Sequence, residues 1–493
     1  METSYFFLQF LSSTSLLLTV IFLLLISYVS SSSFSTRGDS KGPPGPRGLP
    51  LLGNMLQMDF RQPYKTLIEF SKQYGSVYSI RLAHQKVVVL SGYKTVKNAL
   101  VKYAEEFGDR HQALLMHESN QGHGIIWSNG DTWRDMRRFA LKNLRDFGMG
   151  KTIFEDKIIE ECDHLIKEFK KSEGKPYHVN DPLIFTTSNV ISSLVYGKRF
   201  EYDDTKFVSL IHCTSRRTEI MLSRSAQIFN VLPWIGRFIP NRKEFREIGD
   251  VSVKHNIEMF RRLKETLNPE MCRGFVDAFL VQKEKHEESG ITNSNFTDEN
   301  LMKSVINMFA AGSESTSATL AWGLMLMAKY PEIQHQVREE LSRVVGNRQV
   351  RINDRMNLPL TNAVIHEIQR VASIAPMGLP HQVNKDFTFQ GHFIEKGTVV
   401  HALLRTVLHD ENEWEKPESF HPAHFLDKDG QFVMRDAFLP FSAGRRACIG
   451  ETLVKMELFI ILSSLLQKFH FSPPPEVQME NPYNLQLMCE PLF

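Results

Sequence analysis

Along most of this chain apolar residues recur at intervals of three and four, the spacing of helices that bury one face; strict alternation is confined to short runs. The runs Ser76–Arg81 and Lys86–Leu90 predict a hairpin that turns across Ala83-His84-Gln85. A helix is expected near Tyr93 to Phe107, and further strands around Phe387–Phe389 and Thr398–His401, with turn signals at Gly391 and Gly397. The longest periodic stretch runs from Asn300 to Tyr330, with Thr297-Asp298-Glu299 near its start and Pro331 ending it. Close to the C-terminus, Leu453, Met456, Leu458, Phe459, Leu462 and Leu465 predict an amphipathic helix. No repeat or low-complexity tract interrupts the chain from Leu51 onward. The pattern predicts a mainly α fold with small β-sheets, an α+β body spanning residues 51–493.

The N-terminus departs from this pattern. No charge lies between Glu2 and Arg37, and Leu16 to Val29 is almost continuously apolar after a first apolar run from Tyr5 to Leu11. Residues 1–36 are therefore expected to form a single transmembrane anchor. A cleaved signal peptide with Ser30 to Ser35 as its processing site is the rival, opposed by acidic Glu2 where a basic region is usual. Arg37, Lys41 and Arg47 follow the span and place the body in the cytosol. Residues 37–50, with Gly42-Pro43-Pro44-Gly45-Pro46, read as a stiff proline-rich hinge. Ile228 to Ile239 is also apolar and broken by proline, suiting either a buried loop or a second contact with the bilayer surface.

Composition narrows the function classes. A chain of 493 residues, 42% hydrophobic, can bury a large core; a net charge of +2 without a basic, aromatic-interleaved strip sets nucleic acid aside. The five cysteines are widely spaced and form no C-x-x-C pair, so neither a disulfide scaffold nor a zinc ribbon is expected. A reducing compartment fits them.

Chemistry concentrates in Pro440-Phe441-Ser442-Ala443-Gly444-Arg445-Arg446-Ala447-Cys448-Ile449-Gly450, a glycine-containing loop that delivers Cys448 to a helix start. The helix terminus and neighbouring arginines favour a thiolate, the form that ligates metal. Gly444 and Gly450 would let backbone approach a large flat cofactor, and Arg446 would meet an acidic group on it. Phe441, Gly444, Arg446, Cys448 and Gly450 at these offsets resemble the haem-binding loop of the cytochrome P-450 superfamily. The resemblance implies haem b (iron protoporphyrin IX) buried between a long central helix and this loop, with Cys448 as the axial metal ligand. It extends to Trp133 and Arg137, four apart on one helix face, which are similar to haem-propionate ligands; Arg110 and His381 resemble further contacts of that kind. Arg134, Arg138, Lys142 and Arg145 form a basic stripe beside them, where the family docks an electron donor.

In the long helix the small polar stretch Ala310 to Ser317 suits either a helix packing notch or a local groove. It resembles the family's oxygen-binding groove, with Glu314 as the acid, Ser315 as the alcohol where most relatives have threonine, and Thr316 completing the catalytic set. Glu367 and Arg370, followed by His424, resemble the triad that locks the core; the histidine points to the vertebrate drug- and fatty-acid-metabolising branch called family two. Pocket positions implied by the resemblance are Ile125, Ile126, Ala311, Ile374, Met377 and Leu487, all apolar.

The expected activity is therefore insertion of one atom of O2 into a lipophilic substrate, a fatty acid, steroid or foreign compound, driven by a thiolate-ligated haem. No Gly-x-Gly-x-x-Gly loop is present, so electrons from NADPH are expected through a separate flavoprotein, NADPH-cytochrome reductase, with cytochrome b5 as a further candidate. The implied location is the endoplasmic reticulum membrane, with membrane lipids as partners. The rivals are a haem-thiolate isomerase or dehydratase and a non-catalytic membrane haem sensor. Asn295-Phe296-Thr297 has the form of a glycosylation site and is a check on topology.

Overall fold

A computed structural model describes residues 15–23, 25, 41–147, 152–238, 240–475, 479 and 481–492. Residues 15–23 are helical (α1) with exposed apolar side chains. Among the described residues no helix is long and apolar enough to cross a membrane. Most of the expected anchor at 1–36 lies outside the described residues.

The proline-rich segment is fastened to the body by specific bonds. Ser79 donates its N–H to the Pro44 carbonyl (2.7 Å) and its hydroxyl to that of Pro43 (3.0 Å). A Cβ on Gly45 would sit 1.8 Å from the Ser79 oxygen, so only glycine permits this approach.

Helix α2 (Pro63–Tyr74) leads into β1 (Val77–Leu82) and β2 (Gln85–Leu90), antiparallel with Leu82 opposite Gln85. The expected hairpin is present, with Ala83 at φ 49°. Helix α3 (Tyr93–Lys97) continues as a π-helical turn to Lys102 and reaches β3 (Asp109–Arg110). Next come α4 (Leu114–Asn120), α5 (Gly130–Asp146), α6 (Thr152–Lys170), β4 (Pro176–His178) and α7 (Asn180–Val195). Helices α8 (Thr205–Leu222), α9 (Arg224–Val231), α10 (Pro240–Glu265) and α11 (Phe275–Glu288) precede the long α12 (Asp298–Lys329). After α13 (Pro331–Val344) and α14 (Pro359–Ala372) lie β5 (His381–Gln382), β6 (Phe387–Phe389), β7 (His392–Ile394), β8 (Val399–Ala402) and α15 (Leu404–Leu408). The chain closes with α16 (Glu451–Lys468), β9 (Phe469–Ser472) and β10 (Gln486–Pro491).

Five strands form one sheet in the order β1-β2-β8-β5-β3, in which only β2 and β8 run parallel. The others form a three-stranded sheet, β4-β10-β9, and the β6-β7 hairpin. Helix α12 is capped by the Thr297 hydroxyl, which accepts the Asn300 N–H, and carries Asp298 and Glu299 in its first turn. Pro331 disfavours helical backbone at Tyr330 and opens α13 at its first position, so one proline separates two helices. Around α12 pack α7, α14, α16 and β9.

One expectation fails at α16. Leu453, Met456, Leu458, Phe459, Leu462 and Leu465 are buried, but so are Glu457, Ile460, Ile461, Ser463 and Ser464. Beyond its first turn, where Thr452 is exposed, the helix has almost no solvent face because α6, α12, α13 and α14 surround it. Its periodicity reflects only the most apolar part of a nearly enclosed surface.

Candidate functional site

The loop before α16 makes a single turn at Gly444–Arg446 and returns with Cys448 N–H donating to the Phe441 carbonyl (3.0 Å). Gly444 has φ 72°, and a Cβ there would lie 1.7 Å from the Leu100 oxygen. Its glycine is thus required by close backbone packing on the π-helical turn rather than by approach of a cofactor. At Gly450 a Cβ would stand 3.8 Å from the Cys448 sulfur, an ordinary contact. All five cysteines are free, and Cys448 alone has an exposed side chain. Burial within the protein mass pushes its thiol up, a larger effect than the N–H groups of Gly450 and Glu451 and the Arg137 charge, which favour thiolate. This corrects the expectation of a lowered pKa: the sulfur needs a metal cation, which deprotonates a coordinating thiol.

Beside it lies a nest of cations. Arg446 donates to the carbonyls of Gly108 (2.8 Å) and Ser128 (3.0 Å) and to Asn129 Oδ1 (2.7 Å), and its guanidinium lies 3.9 Å from the Trp133 ring centroid. Arg110 donates to the Leu379 and Pro380 carbonyls (2.8 and 3.2 Å), and Arg137 to that of Ala447 (2.8 Å). His381 is 4% exposed; its Nδ1 lies 2.8 Å from the Phe107 carbonyl oxygen, so Nδ1 carries the proton. Burial, then repulsion from neighbouring arginines, brings Arg446 down to about 8 and Arg110 to about 10; burial and Arg110 bring His381 to about 3. Arg110 Nε and Arg446 Nη1 are buried without a partner among the described residues. Mutually repelling cations with orphaned N–H groups require an anion. The propionates of a haem would fit this requirement, and the exposed sulfur of Cys448 would supply a soft ligand for its iron.

The middle of α12 divides between two roles. A Cβ on Gly312 would meet Ile191 Cδ1 at 2.3 Å, so Gly312 is a packing notch for α7. Ala311 is exposed on the other side, and Ser315, half-buried, donates its hydroxyl to the Ala311 carbonyl (2.7 Å). Thr316 is fully buried and its Oγ1 has no partner, so its side chain points into the core and not toward the face of Ala311 and Ser315. Glu314 is half-buried and accepts a hydrogen bond from the Ser215 hydroxyl on α8. Burial raises its pKa; the Ser215 bond opposes this and the Glu219 charge adds to it.

Glu367, Arg370 and His424 meet with no exposure at all. Arg370 donates Nη2 and Nε to Glu367 (2.7 and 2.8 Å) and otherwise binds the carbonyls of Leu408, Pro417 and Ser419. Glu367 also accepts the His421 N–H (2.8 Å). His424 Nε2 accepts the Lys416 N–H (3.2 Å), which leaves Nδ1 protonated and donating to Glu367 (3.2 Å). Among the other Glu-x-x-Arg pairs, Glu258 bonds Lys206 and Arg262, and Glu340 accepts the Leu360 and Thr361 N–H groups. Spacing alone would not have separated these.

Of the pocket positions, Ile126, Ile374 and Met377 are half-buried and Ala311 exposed, whereas Ile125 (4%) and Leu487 (0%) sit inside the main core. Leu487 pairs with Tyr177 across β10 and β4, which turns its side chain inward. In the proline-broken stretch Phe229 is buried and Trp234 is 71% exposed, while Ile239 lies outside the described residues. Ser215 and Tyr483 were not foreseen: each is an isolated residue outside any motif, and Tyr483, 64% exposed, is within electrostatic reach of Glu314. Asn295 is engaged by Asp135 and Thr132.

A family model described as Cytochrome P450 matches residues 43–492. Cytochrome P450 2K1 of Oncorhynchus mykiss is 54% identical over 471 residues, covering 95% of this chain and 93% of the relative. Cytochrome P450 2K6 of Danio rerio is 50% identical over 88% and 86% of the two chains, and cytochrome P450 2F3 of Capra hircus 40% identical over 94% and 93%.

Proposed function

The chain belongs to the cytochrome P450 family, in its vertebrate family-two branch, and on that premise we propose how its own residues serve a haem-thiolate monooxygenase. Haem bound here supplies thiolate-supported activation of dioxygen and insertion of one oxygen atom into a C–H or C=C bond. Cys448 holds the iron. Arg110, Arg137, Arg446 and His381, with Trp133 beneath the guanidinium of Arg446, bind and orient the propionates. Phe441, Gly444 and Gly450 shape the loop. Glu314 keeps its proton more readily than an ordinary carboxyl and hands it on past the Ser315 hydroxyl. Serine lacks the methyl that restricts threonine, so this hydroxyl moves between partners more freely. Thr316 serves packing.

Ile126, Ala311, Ile374 and Met377 present apolar surface to a lipophilic substrate, excluding water from the reacting bond. The exposed cations on α5, Arg134, Arg138, Lys142 and Arg145, suit an acidic flavoprotein reductase that delivers NADPH electrons, or cytochrome b5. The apolar N-terminal run anchors the body, residues 51–493, to the cytosolic face of the endoplasmic reticulum membrane.

The observation that carries this reading is the pairing of one open cysteine with crowded cations, two of whose buried N–H groups have no acceptor among the described residues. Its test is the absorbance difference spectrum of the reduced, detergent-solubilised protein with and without carbon monoxide. A strongly red-shifted Soret band that disappears in Cys448→Ser is expected; its absence from haem-supplemented wild type would overturn the assignment. Turnover that proceeds without NADPH and reductase would instead favour an isomerase.

A further inference from the structure

Three hydroxyls lie close together on α8, and one of them behaves differently. Thr214 and Thr218 bond back to carbonyls of their own helix, those of Leu210 (2.8 Å) and Thr214 (3.2 Å), the usual resort of a helical hydroxyl. Ser215 instead reaches across to the carboxyl of Glu314 on α12. The acid is equally set apart. Arg216 and Arg217 follow Ser215 directly, yet Arg216 takes Glu244 and Glu219 (2.7 and 2.9 Å), and Arg217 donates to the Ser119 hydroxyl (2.7 Å). Among the described residues the Glu314 carboxyl has no ion pair, and the partner it does have is a neutral hydroxyl.

The kind of partner decides what the carboxyl can do. An arginine only donates and keeps its charge, so it would hold Glu314 ionised. A serine hydroxyl donates to a carboxylate and accepts from a carboxylic acid, and so fixes the group in both protonation states. Ser315, next along α12, donates its own proton to the Ala311 carbonyl (2.7 Å), which leaves its oxygen lone pairs to accept. Burial disfavours ionisation of Glu314, the Ser215 bond favours it, and the charge of Glu219, four residues beyond Ser215 on the same face of α8, disfavours it further. Tyr483, in the turn before β10, is also within electrostatic reach. Helix α7 brings to this turn Thr187, bonded to the Ser313 carbonyl (3.0 Å), and Ile191, against Gly312, neither of them charged.

Resting on the monooxygenase reading, which makes Glu314 the proton carrier, we propose that Ser215 is its positioning residue: the hydroxyl ties the Glu314 carboxyl to α8 and leaves it free to take up and release a proton. One helix then supplies both the hydrogen bond that favours the carboxylate and, through Glu219, the charge that opposes it.

Infrared difference spectroscopy of the full-length, haem-loaded protein, recorded across a pH titration, tests this. The carboxylic-acid C=O band that Glu314→Gln removes reports the proton on Glu314. In Ser215→Ala its midpoint rises by about one pH unit, the worth of one hydrogen bond to a charged group. The band also moves to higher wavenumber as the acid loses its partner. Ser215→Thr, which keeps the hydroxyl, restores both. Glu219→Gln lowers the midpoint, and Ser215→Lys, a fixed cation, holds the group ionised to far lower pH. A Ser215→Ala band with the midpoint and wavenumber of wild type overturns the proposal, as does failure of Ser215→Thr to restore them or the loss of no band in Glu314→Gln. The carbon monoxide band of the same samples reports on the fold and on the haem-thiolate reading, and the C=O band arises from the carboxyl alone, so either can fail by itself.

Discussion

Two charge clusters in the interior of this molecule behave as opposites. Around Glu367, Arg370 and His424 every charged atom meets a counter-charge, a carbonyl or an N–H, and exposure is nil. Around Arg110, Arg137 and Arg446 positive charges predominate, with Asp109 offsetting them only in part, and two buried N–H groups have no acceptor among the described residues. The first cluster is complete in the protein alone. The second is complete only with an anion, and that deficiency marks a binding site where burial by itself would not.

The largest expected effect breaks the closed cluster. Arg370→Met leaves the Glu367 carboxylate buried and short of its partner, costing about 4 kcal/mol; thermal unfolding and the yield of carbon monoxide-binding protein should both collapse. Next, Gly444→Ala tests whether the open cluster depends on backbone packing more than on charge. A residue with a Cβ at φ 72°, pressed on the Leu100 carbonyl, should lose about 3 kcal/mol and broaden or remove the Soret band. Arg446→Met should cost the haem-free protein only about 1 kcal/mol, since relief of repulsion offsets the lost hydrogen bonds. The same variant should release haem far faster, measured by transfer to a haem acceptor. A small cost in haem-free protein together with unchanged haem release would break the contrast.

Smallest near neutrality, and growing only in acid, is a pH dependence. His381 is held near 3 in the fold against 6.5 when free, so the unfolded chain binds the extra proton between those values. Its contribution is fully present above about 6.5 and lost as pH falls toward 3. His381→Asn should flatten the acid limb of stability by about one proton, read from denaturant unfolding at several pH values. His366 and His401, near 4, and His409, near 3, sharpen the same limb and remain in the variant.

Local patterns carried far. The hairpin at Ala83, the capping of α12 by Thr297 and the order of the motifs were legible because each depends on residues close in sequence. The Glu367–Arg370 pair was distinguished by its setting, since its spacing is shared by Glu340 and Arg343. Helix α16 was misread because periodicity reports where the apolar residues lie and not how many neighbours enclose the helix. Thr316 and Leu487 were placed at the site by resemblance, and burial moved them into the core.

By itself the sequence determined which family this chain joins and which cysteine is the candidate metal ligand, because a loop of fixed offsets specifies its own turn. Only the tertiary structure decided why Gly444 must be glycine and that the Cys448 thiol is raised and not lowered. Those facts depend on what distant segments bring: the Leu100 carbonyl and the mass that desolvates a sulfur. Steric contact, desolvation and Coulomb repulsion act through space, and spacing along a chain does not encode them.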